Sequence, residues 1–470
     1  MKTLSLRVLV LFTLVPLLGD AAPQWAQFRG PNGSGVAEDA RPPIRFGPDT
    51  NLLWKTVLPP GHSSPVVWAE RLFLTGFDGG RKKLETICLD RSTGRVLWRR
   101  DALTKTLEKV HTISNPAAST PATDGESVYV YFGSFGLIAY DFEGGVRWEK
   151  PLPVAKTRFG HGTGTSPILV GDLLVLDVHL DQESHLLAVR RRDGGTVWRS
   201  PKPLFNDGWS TPVVWSEADV DLVGVLNAGK FTAYDLPSGQ ERWWVHRLPN
   251  QICATPVVAD GVVYLTGTGV LGEKEELIPP PTFDELVPRY DANRDGRIGT
   301  DEIPASLLIV DRKAAHGAGN MSLRESLLFG SDTNSKSYDR GEWTKETREF
   351  HEFARSDLMK SVQCAVQSGG NGDATGSHLV LWSESRGVPE VPSPLLYRGR
   401  LFSVKNGGIF ICRDLANGHP IFEERLGAEG GYYASPVAAA GRIYTASDRG
   451  VVTVIEAGDR LRVLARTDLK

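Results

Sequence analysis

The chain has 470 residues, of which 41% are hydrophobic and 23% charged, with a formal net charge of -3; that is an ordinary globular composition, long enough to bury a sizeable core. So small a charge offers no long-range attraction to nucleic acid or to an anionic membrane surface, and both drop out as expected partners. Four cysteines, Cys88, Cys253, Cys364 and Cys412, occur without C-x-x-C, adjacent-pair or C-x-x-C-H spacing, so the usual haem, redox and zinc motifs are missing; they read as small core residues, with disulfide pairing left open.

The chain opens with a basic stretch, Met1 to Arg7, then an apolar run from Val8 to Leu18, then the small residues Gly19, Ala21 and Ala22. This order reads as a secretory signal peptide over 1–22. The run is shorter than the roughly 20 residues a membrane-spanning helix needs, and Pro16 interrupts it. No transmembrane segment is expected in the mature chain, which is expected to be exported and either periplasmic or secreted. An N-terminal extended segment follows over 23–51.

From residue 52 onward two signatures recur. One is Ser/Thr-Pro followed by apolar residues, at Pro65, Pro121, Pro167, Pro212, Pro256, Pro394 and Pro436. Most of these lead through a turn into a β-rich run such as Arg71–Thr75, Ser127–Tyr131, Leu173–Asp177 or Gly261–Thr266. The other is an Asp-led turn with a glycine, then a strand carrying a large ring: Asp90, Gly94 and Trp98; Asp141, Gly144 and Trp148; Asp193, Gly194 and Trp198; Asp235, Gly239 and Trp243; and, with Phe for Trp, Asp414, Gly418 and Phe422. Asp and Gly suit a tight hairpin turn, and the ring is suited to fill the wedge between neighbouring sheets. The common interval between the prolines is about 45 residues, the length of a four-stranded propeller blade. A β-sandwich array would not need a ring at one fixed point of every repeat.

These residues resemble the PQQ-type propeller repeat, A-x-D-x-x-T-G-x-x-x-W, most fully at Asp90, Thr93, Gly94 and Trp98. The resemblance covers almost everything from Leu52 to Leu469 outside one insertion. Together with Trp25 to Gly33 it is similar to an exported family of PQQ-like propeller proteins. It implies an all-β fold of seven four-stranded blades, with eight as the alternative if Leu52–Val57 is an extra closing strand. For function it implies less: the repeat is named after quinone-dependent dehydrogenases, yet a non-catalytic assembly lipoprotein of the outer membrane shares it.

Between Pro256 and Pro394 the interval exceeds one repeat by about 94 residues. That excess holds Asp291–Glu302, which meets the EF-hand calcium pattern D-x-[DN]-x-[DN]-G-x5-E at every defined position. Asp291, Asn293 and Asp295 offer side-chain oxygens, Arg297 its carbonyl and Glu302 a bidentate carboxylate, while Gly296 permits the sharp turn. Phe283, Leu286, Val287 and Tyr290 give the stripe of an entering helix despite Pro288, and Ile303, Leu307 and Leu308 predict an exiting one. A second loop of the same length, 331–342, is degenerate: Ser331, Thr333 and Ser335 replace carboxylates, and Lys336 replaces the turn glycine. One Ca2+ is expected, held permanently as a structural ion. The expected division is propeller over 52–274 and 366–470, with an α-helical EF-hand pair over 275–365.

Residues just before the Ser/Thr-Pro starts recur at one end of each repeat: His62, His161, Trp209, Gln251, Glu390 and Tyr432. They are expected either to line a ligand site at the channel face or to pack neighbouring blades. No phosphate loop, H-E-x-x-H or G-x-S-x-G is present. Two functions follow: a calcium-binding envelope scaffold that takes a protein or small ligand on the propeller face, or a PQQ-dependent dehydrogenase of alcohols or sugars. Against the second stands the lack of a vicinal cysteine pair and of a haem motif.

Overall fold

A computed structural model describes residues 24–157, 160–180, 183–202, 208–217, 219–250, 252–269, 276–311, 321–328, 336–355 and 360–470. Residues 1–22, the expected signal peptide, lie outside them. The described residues form a β-propeller of seven sheets that follow one another along the chain, each built on four antiparallel strands; Gln24–Trp25 adds a fifth strand to the first sheet and Gly372–Asp373 a parallel fifth strand to the fourth. The first uses Val66–Trp68, Arg71–Asp78, Lys83–Asp90 and Val96–Asp101, and the last Val437–Ala439, Arg442–Ala446, Val451–Glu456 and Val463–Asp468. Among the described residues no helix is long and apolar enough to cross a membrane.

Every sheet carries the same bulge between its third and fourth strands, and the residue ahead of it pairs across to the ring position. The pairs are Cys88 with Trp98, Ala139 with Trp148, Ala188 with Trp198, Ala233 with Trp243, Ala365 with Trp382, Cys412 with Phe422, and Val454 with Ala465. A small side chain opposite a large one lets the indole lie over the sheet, which is why two cysteines sit here as packing residues. All four cysteines are free thiols. Trp382, the ring of the fifth blade, is a member of the set that the insertion hid from the repeat spacing.

Four of the five indoles then reach forward, while Trp243 Nε1 has no hydrogen-bond partner among the described residues. Trp98 donates to the Phe142 carbonyl at 2.7 Å, Trp148 to Arg191 at 2.8 Å, Trp198 to Leu236 at 2.9 Å and Trp382 to Leu415 at 2.8 Å. All four acceptors lie in the glycine turn of the next blade, which Arg190 leads in the third blade and Asp in the others; its glycine has positive φ and lies under the ring: a Cβ on Gly239 would stand 2.5 Å from Trp198 and one on Gly418 2.4 Å from Trp382. The turn glycine is therefore required twice, for its backbone conformation and for the indole above it.

The Ser/Thr-Pro signature has an equally direct cause. The amide of Ser64 donates to Thr120 Oγ1, Thr120 to Ser166 Oγ, Ser166 to Thr211 Oγ1, Thr211 to Thr255 Oγ1, Thr255 to Ser393 Oγ and Ser393 to Ser435 Oγ, at 2.9–3.2 Å. Six bonds thus join seven consecutive blades at the start of their inner strands. The hydroxyl is the acceptor for the blade before, and the following proline biases that residue toward an extended conformation.

Each inner strand begins at this ring, on what we call the start face, and ends in a two-residue turn on the opposite turn face. Residues 24–37 cross the turn face. Gln24 and Trp25 pair with Trp68 and Val67, the Ala26 carbonyl accepts from Thr123, Gln27 Oε1 accepts from the Leu169 amide, and Ala37 and Gly35 bond to Ala438. Arg29, buried, donates to the carbonyls of Gly33 (3.1 Å), Pro394 (2.9 Å) and Pro436 (3.4 Å) and so ties the segment to blades six and seven. Burial pushes its guanidinium down to about 10.

Three sequence expectations need correction. Leu52–Val57 is not a strand; it is a connecting segment held through side chains, with Trp54 Nε1 donating to Arg91 O and Thr56 Oγ1 to Gly94 O. The insertion runs from 268 to 361 rather than 275 to 365, because Val362–Gln367 is already the strand that pairs with Val262–Gly267. No exiting helix follows Glu302: Ile303 precedes Pro304, which disfavours the helical region, and the apolar run ahead forms the strand Leu308–Asp311.

Candidate functional site

The insertion leaves the propeller at the end of the second strand of blade five, which places its root on the start face. It has its own core, with Leu286, Ile298, Ile303, Ile309 and Trp343 each at 1% exposure or less. The entering helix, α1 (Phe283–Tyr290), forms despite Pro288, and Glu285 accepts the Thr282 amide at 2.8 Å in a capping box. A short helix, α2 (Leu323–Leu328), precedes the second loop, and α3 (Arg340–Arg355) begins at its tenth position. Ile298 and Gly299 pair antiparallel with Tyr338 and Ser337, so the eighth positions of the two twelve-residue loops face each other. Positions one to five of the second loop lie outside the described residues.

In the first loop the backbone is wound onto its own oxygens. The Asp291 carboxylate accepts from the amides of Asp295 (3.2 Å) and Gly296 (3.0 Å), Asn293 Oδ1 from Asp295 (2.8 Å) and Asp295 from Arg297 (2.8 Å). Glu302 accepts from Ala292 at 3.0 Å and Gly299 at 2.7 Å. Gly296 has φ 77° with open space where a Cβ would be. Three carboxylates, one amide oxygen and the Arg297 carbonyl are hard donors of the kind calcium takes. Among the described residues no three His, Cys, Asp or Glu side chains are gathered as a metal cluster.

On the start face two of the six recurring residues meet. His161 and Trp209 meet edge to face with ring centroids 5.6 Å apart, and Trp209 Nε1 donates to Gly162 O at 2.8 Å. His62 is exposed and its amide donates to Ala117 O. Glu390, also exposed, accepts from Asn406. Tyr432 is fully buried in the core shared by blades six and seven, so it offers nothing to a ligand. Gln251 lies outside the described residues.

Two polar groups that the repeat reading missed lie beside them. Glu108, buried in the connection between blades one and two, accepts from the Thr163 amide (2.9 Å) and hydroxyl (3.0 Å). Burial outweighs these bonds and pushes its carboxyl up to about 7. His111, on the same connection, lies 5.2 Å from His161 between ring centroids. Further along the face Asp177 is fully buried with His179 Nε2 at 3.0 Å and Lys202 in direct contact. Asn227, with its amide oriented to donate to Asp177 at 3.2 Å and accept from Lys202 at 3.3 Å, completes the cluster. Burial alone would raise Asp177, but His179 and Lys202 hold it down to about 2. Neither group recurs from blade to blade, so the repeat carried no signal for them.

Residues 47–177 and 182–279 match the PQQ-type repeat family described as outer membrane protein assembly factor BamB. Solved structures with a similar course include BamB from Moraxella catarrhalis (12% identity, 87% of this chain and 88% of that one, TM-score 0.49). A europium-containing methanol dehydrogenase (9%, 92% and 89%, 0.44) and the quinohemoprotein alcohol dehydrogenase of Comamonas testosteroni (13%, 92% and 77%, 0.41) are also among them. No curated protein matches the chain.

Proposed function

Because the chain is a propeller of PQQ-like repeats, we propose that it is an exported, non-catalytic envelope scaffold, stabilised by one calcium ion, that binds a partner protein on its start face. One observation carries this reading: the Ser/Thr hydroxyls that recur at the blade starts are spent on neighbouring blades. The Ser/Thr hydroxyls accept from the blade before, and Trp209 donates to Gly162. A binding scaffold needs such a rigid ring with variable loops on one face. The matched family's description, an assembly factor, supports a protein partner.

The calcium loop supports the stabilising role. Its oxygens are preorganised by loop amides, and its strand is paired to the second hand. Calcium outside the cytosol approaches millimolar, which suits permanent occupancy.

The dehydrogenase alternative asks for cations to hold the quinone carboxylates and a carboxylate free to take the substrate proton. The described residues fit this poorly. Lys202 is committed to Asp177, Asp177 is held ionised within its own cluster, and both oxygens of Glu108 accept from Thr163. The test is an absorption spectrum after reconstitution with PQQ and calcium, with a dye-linked alcohol and sugar oxidation assay. No retained quinone and no turnover is the expected result; stoichiometric quinone with turnover would establish the dehydrogenase instead.

A further inference from the structure

We propose that the second hand is occupied by the guanidinium of Arg297, which stands in for a metal ion and limits the pair to one calcium. The inference rests on the calcium reading of the first loop and goes beyond it to the stoichiometry of the pair.

The loops are in register, with Gly299 opposite Ser337 and Ile298 opposite Tyr338. The second loop also keeps the closing geometry of the first. In the first, the ninth-position amide of Gly299 donates to the twelfth-position Glu302 at 2.7 Å; in the second, Asp339 donates to Glu342 at 2.9 Å. A calcium loop presents to its ion the carbonyl of position seven and the carboxylate of position twelve, with position nine acting directly or through water. In the second loop these are Ser337, Glu342 and Asp339.

The side chain of Arg297 crosses from the first hand and gathers those oxygens. Nη2 donates to the Ser337 carbonyl at 2.8 Å and to Glu342 Oε2 at 2.6 Å, Nη1 lies 3.5 Å from Asp339 Oδ2, and Nε donates to Ser337 Oγ at 2.9 Å. A planar cation with five donors can serve several oxygens at once, as a lysine ammonium does less well. Asp339 and Glu342 also cap α3, since the Glu342 amide donates to Asp339 Oδ1 at 2.9 Å. That cap explains neither the bond to the Ser337 carbonyl nor the approach of a cation from the other hand.

Arg297 thereby has two roles. Its carbonyl is the seventh-position ligand of the first loop, and its guanidinium neutralises the second.

The test is calcium titration calorimetry on the full chain as wild type, Arg297→Gln, Arg297→Lys and the double variant Arg297→Gln/Glu342→Gln, with melting curves in chelator and in millimolar calcium. Expected are one ion for wild type and for Arg297→Lys, a second weak ion for Arg297→Gln with a dissociation constant of about 10⁻⁴–10⁻³ M, and its loss in the double variant. Arg297→Gln should melt below wild type in chelator and recover part of the difference in calcium. One ion and an unchanged melting curve in Arg297→Gln would overturn the proposal while leaving the first site standing, as would two ions in wild type. A wild-type chain that binds none would overturn the first site as well.

Discussion

Trp54 lies on Gly94 as Trp98 lies on Gly144. Its indole donates to the Arg91 carbonyl at 2.9 Å, and a Cβ on Gly94 would stand 2.3 Å from the ring. Thr56 then donates to the Gly94 carbonyl at 2.7 Å, in the place where Arg100 donates to Gly144 at 2.6 Å. The last blade has only Ala465 at the ring position. Trp54 supplies the missing ring, and the seam between last and first blades is closed by the N-terminal segment.

Trp54→Ala should therefore cost about as much as removal of an interior seam ring such as Trp148→Ala, roughly 3 kcal/mol each. Denaturant unfolding of the two variants beside wild type checks this. A Trp54 variant as stable as wild type would mean that the seam holds without it.

The hydroxyl ring makes a sharper distinction. Thr211→Val keeps shape but leaves the buried Ser166 amide, which donates at 3.2 Å, without its acceptor, a loss of about 1–3 kcal/mol. Thr211→Ser keeps the hydroxyl and should fall clearly short of that loss. Equal losses in the two would show that packing rather than the hydrogen bond matters.

Arg29→Ala removes a donor shared by three carbonyls. Hydrogen exchange should then quicken at Thr123, Ala37 and Ala438, whose amide bonds join residues 24–37 to the turn face, while the amides of the Ser/Thr ring stay protected. The net loss should be about 3 kcal/mol. Uniform acceleration across the blades would mean that the segment and the propeller unfold together.

Glu108 gives a pH dependence with a defined sign. Its carboxyl is raised in the fold from 4.5 to about 7, so the folded state holds the proton more tightly than the unfolded chain. That contribution is complete below the unfolded value and is lost as pH rises through 7. Between pH 5 and 8 the wild type should lose up to roughly 3 kcal/mol relative to Glu108→Gln, whose amide oxygen can accept from the Thr163 amide and whose NH2 can donate to the Thr163 hydroxyl without titrating. Parallel stability curves for the two proteins would contradict the burial of this group.

Much of the architecture was legible in the repeats because each repeated residue has a repeated contact. Asp90, Gly94 and Trp98 name a turn, a φ and a seam, and each recurs. What was not legible depends on side-chain direction or on single contacts. Tyr432 follows the pattern of the start-face residues, yet its ring turns into the core. Glu108 and Asp177 occur once each. The exit helix after Glu302 failed because Pro304 and the β-branched pair Ile309 and Val310 outweighed an apolar spacing that a strand satisfies as well. The match of Asp291–Glu302 to a calcium loop needed no structure, but the reach of Arg297 into its neighbour could not be read from spacing.

The most direct test of a calcium-stabilised scaffold is the metal content of the purified full chain, read beside its circular dichroism and melting curve before and after chelation. Expected are one calcium per chain, a lower melting temperature after chelation, and a β-sheet spectrum with little change in helix content; Glu302→Gln should contain none and melt like the chelated protein. A chain without calcium whose melting is indifferent to added ion would contradict the account, and a large calcium-driven gain of helix would make the module a sensor instead.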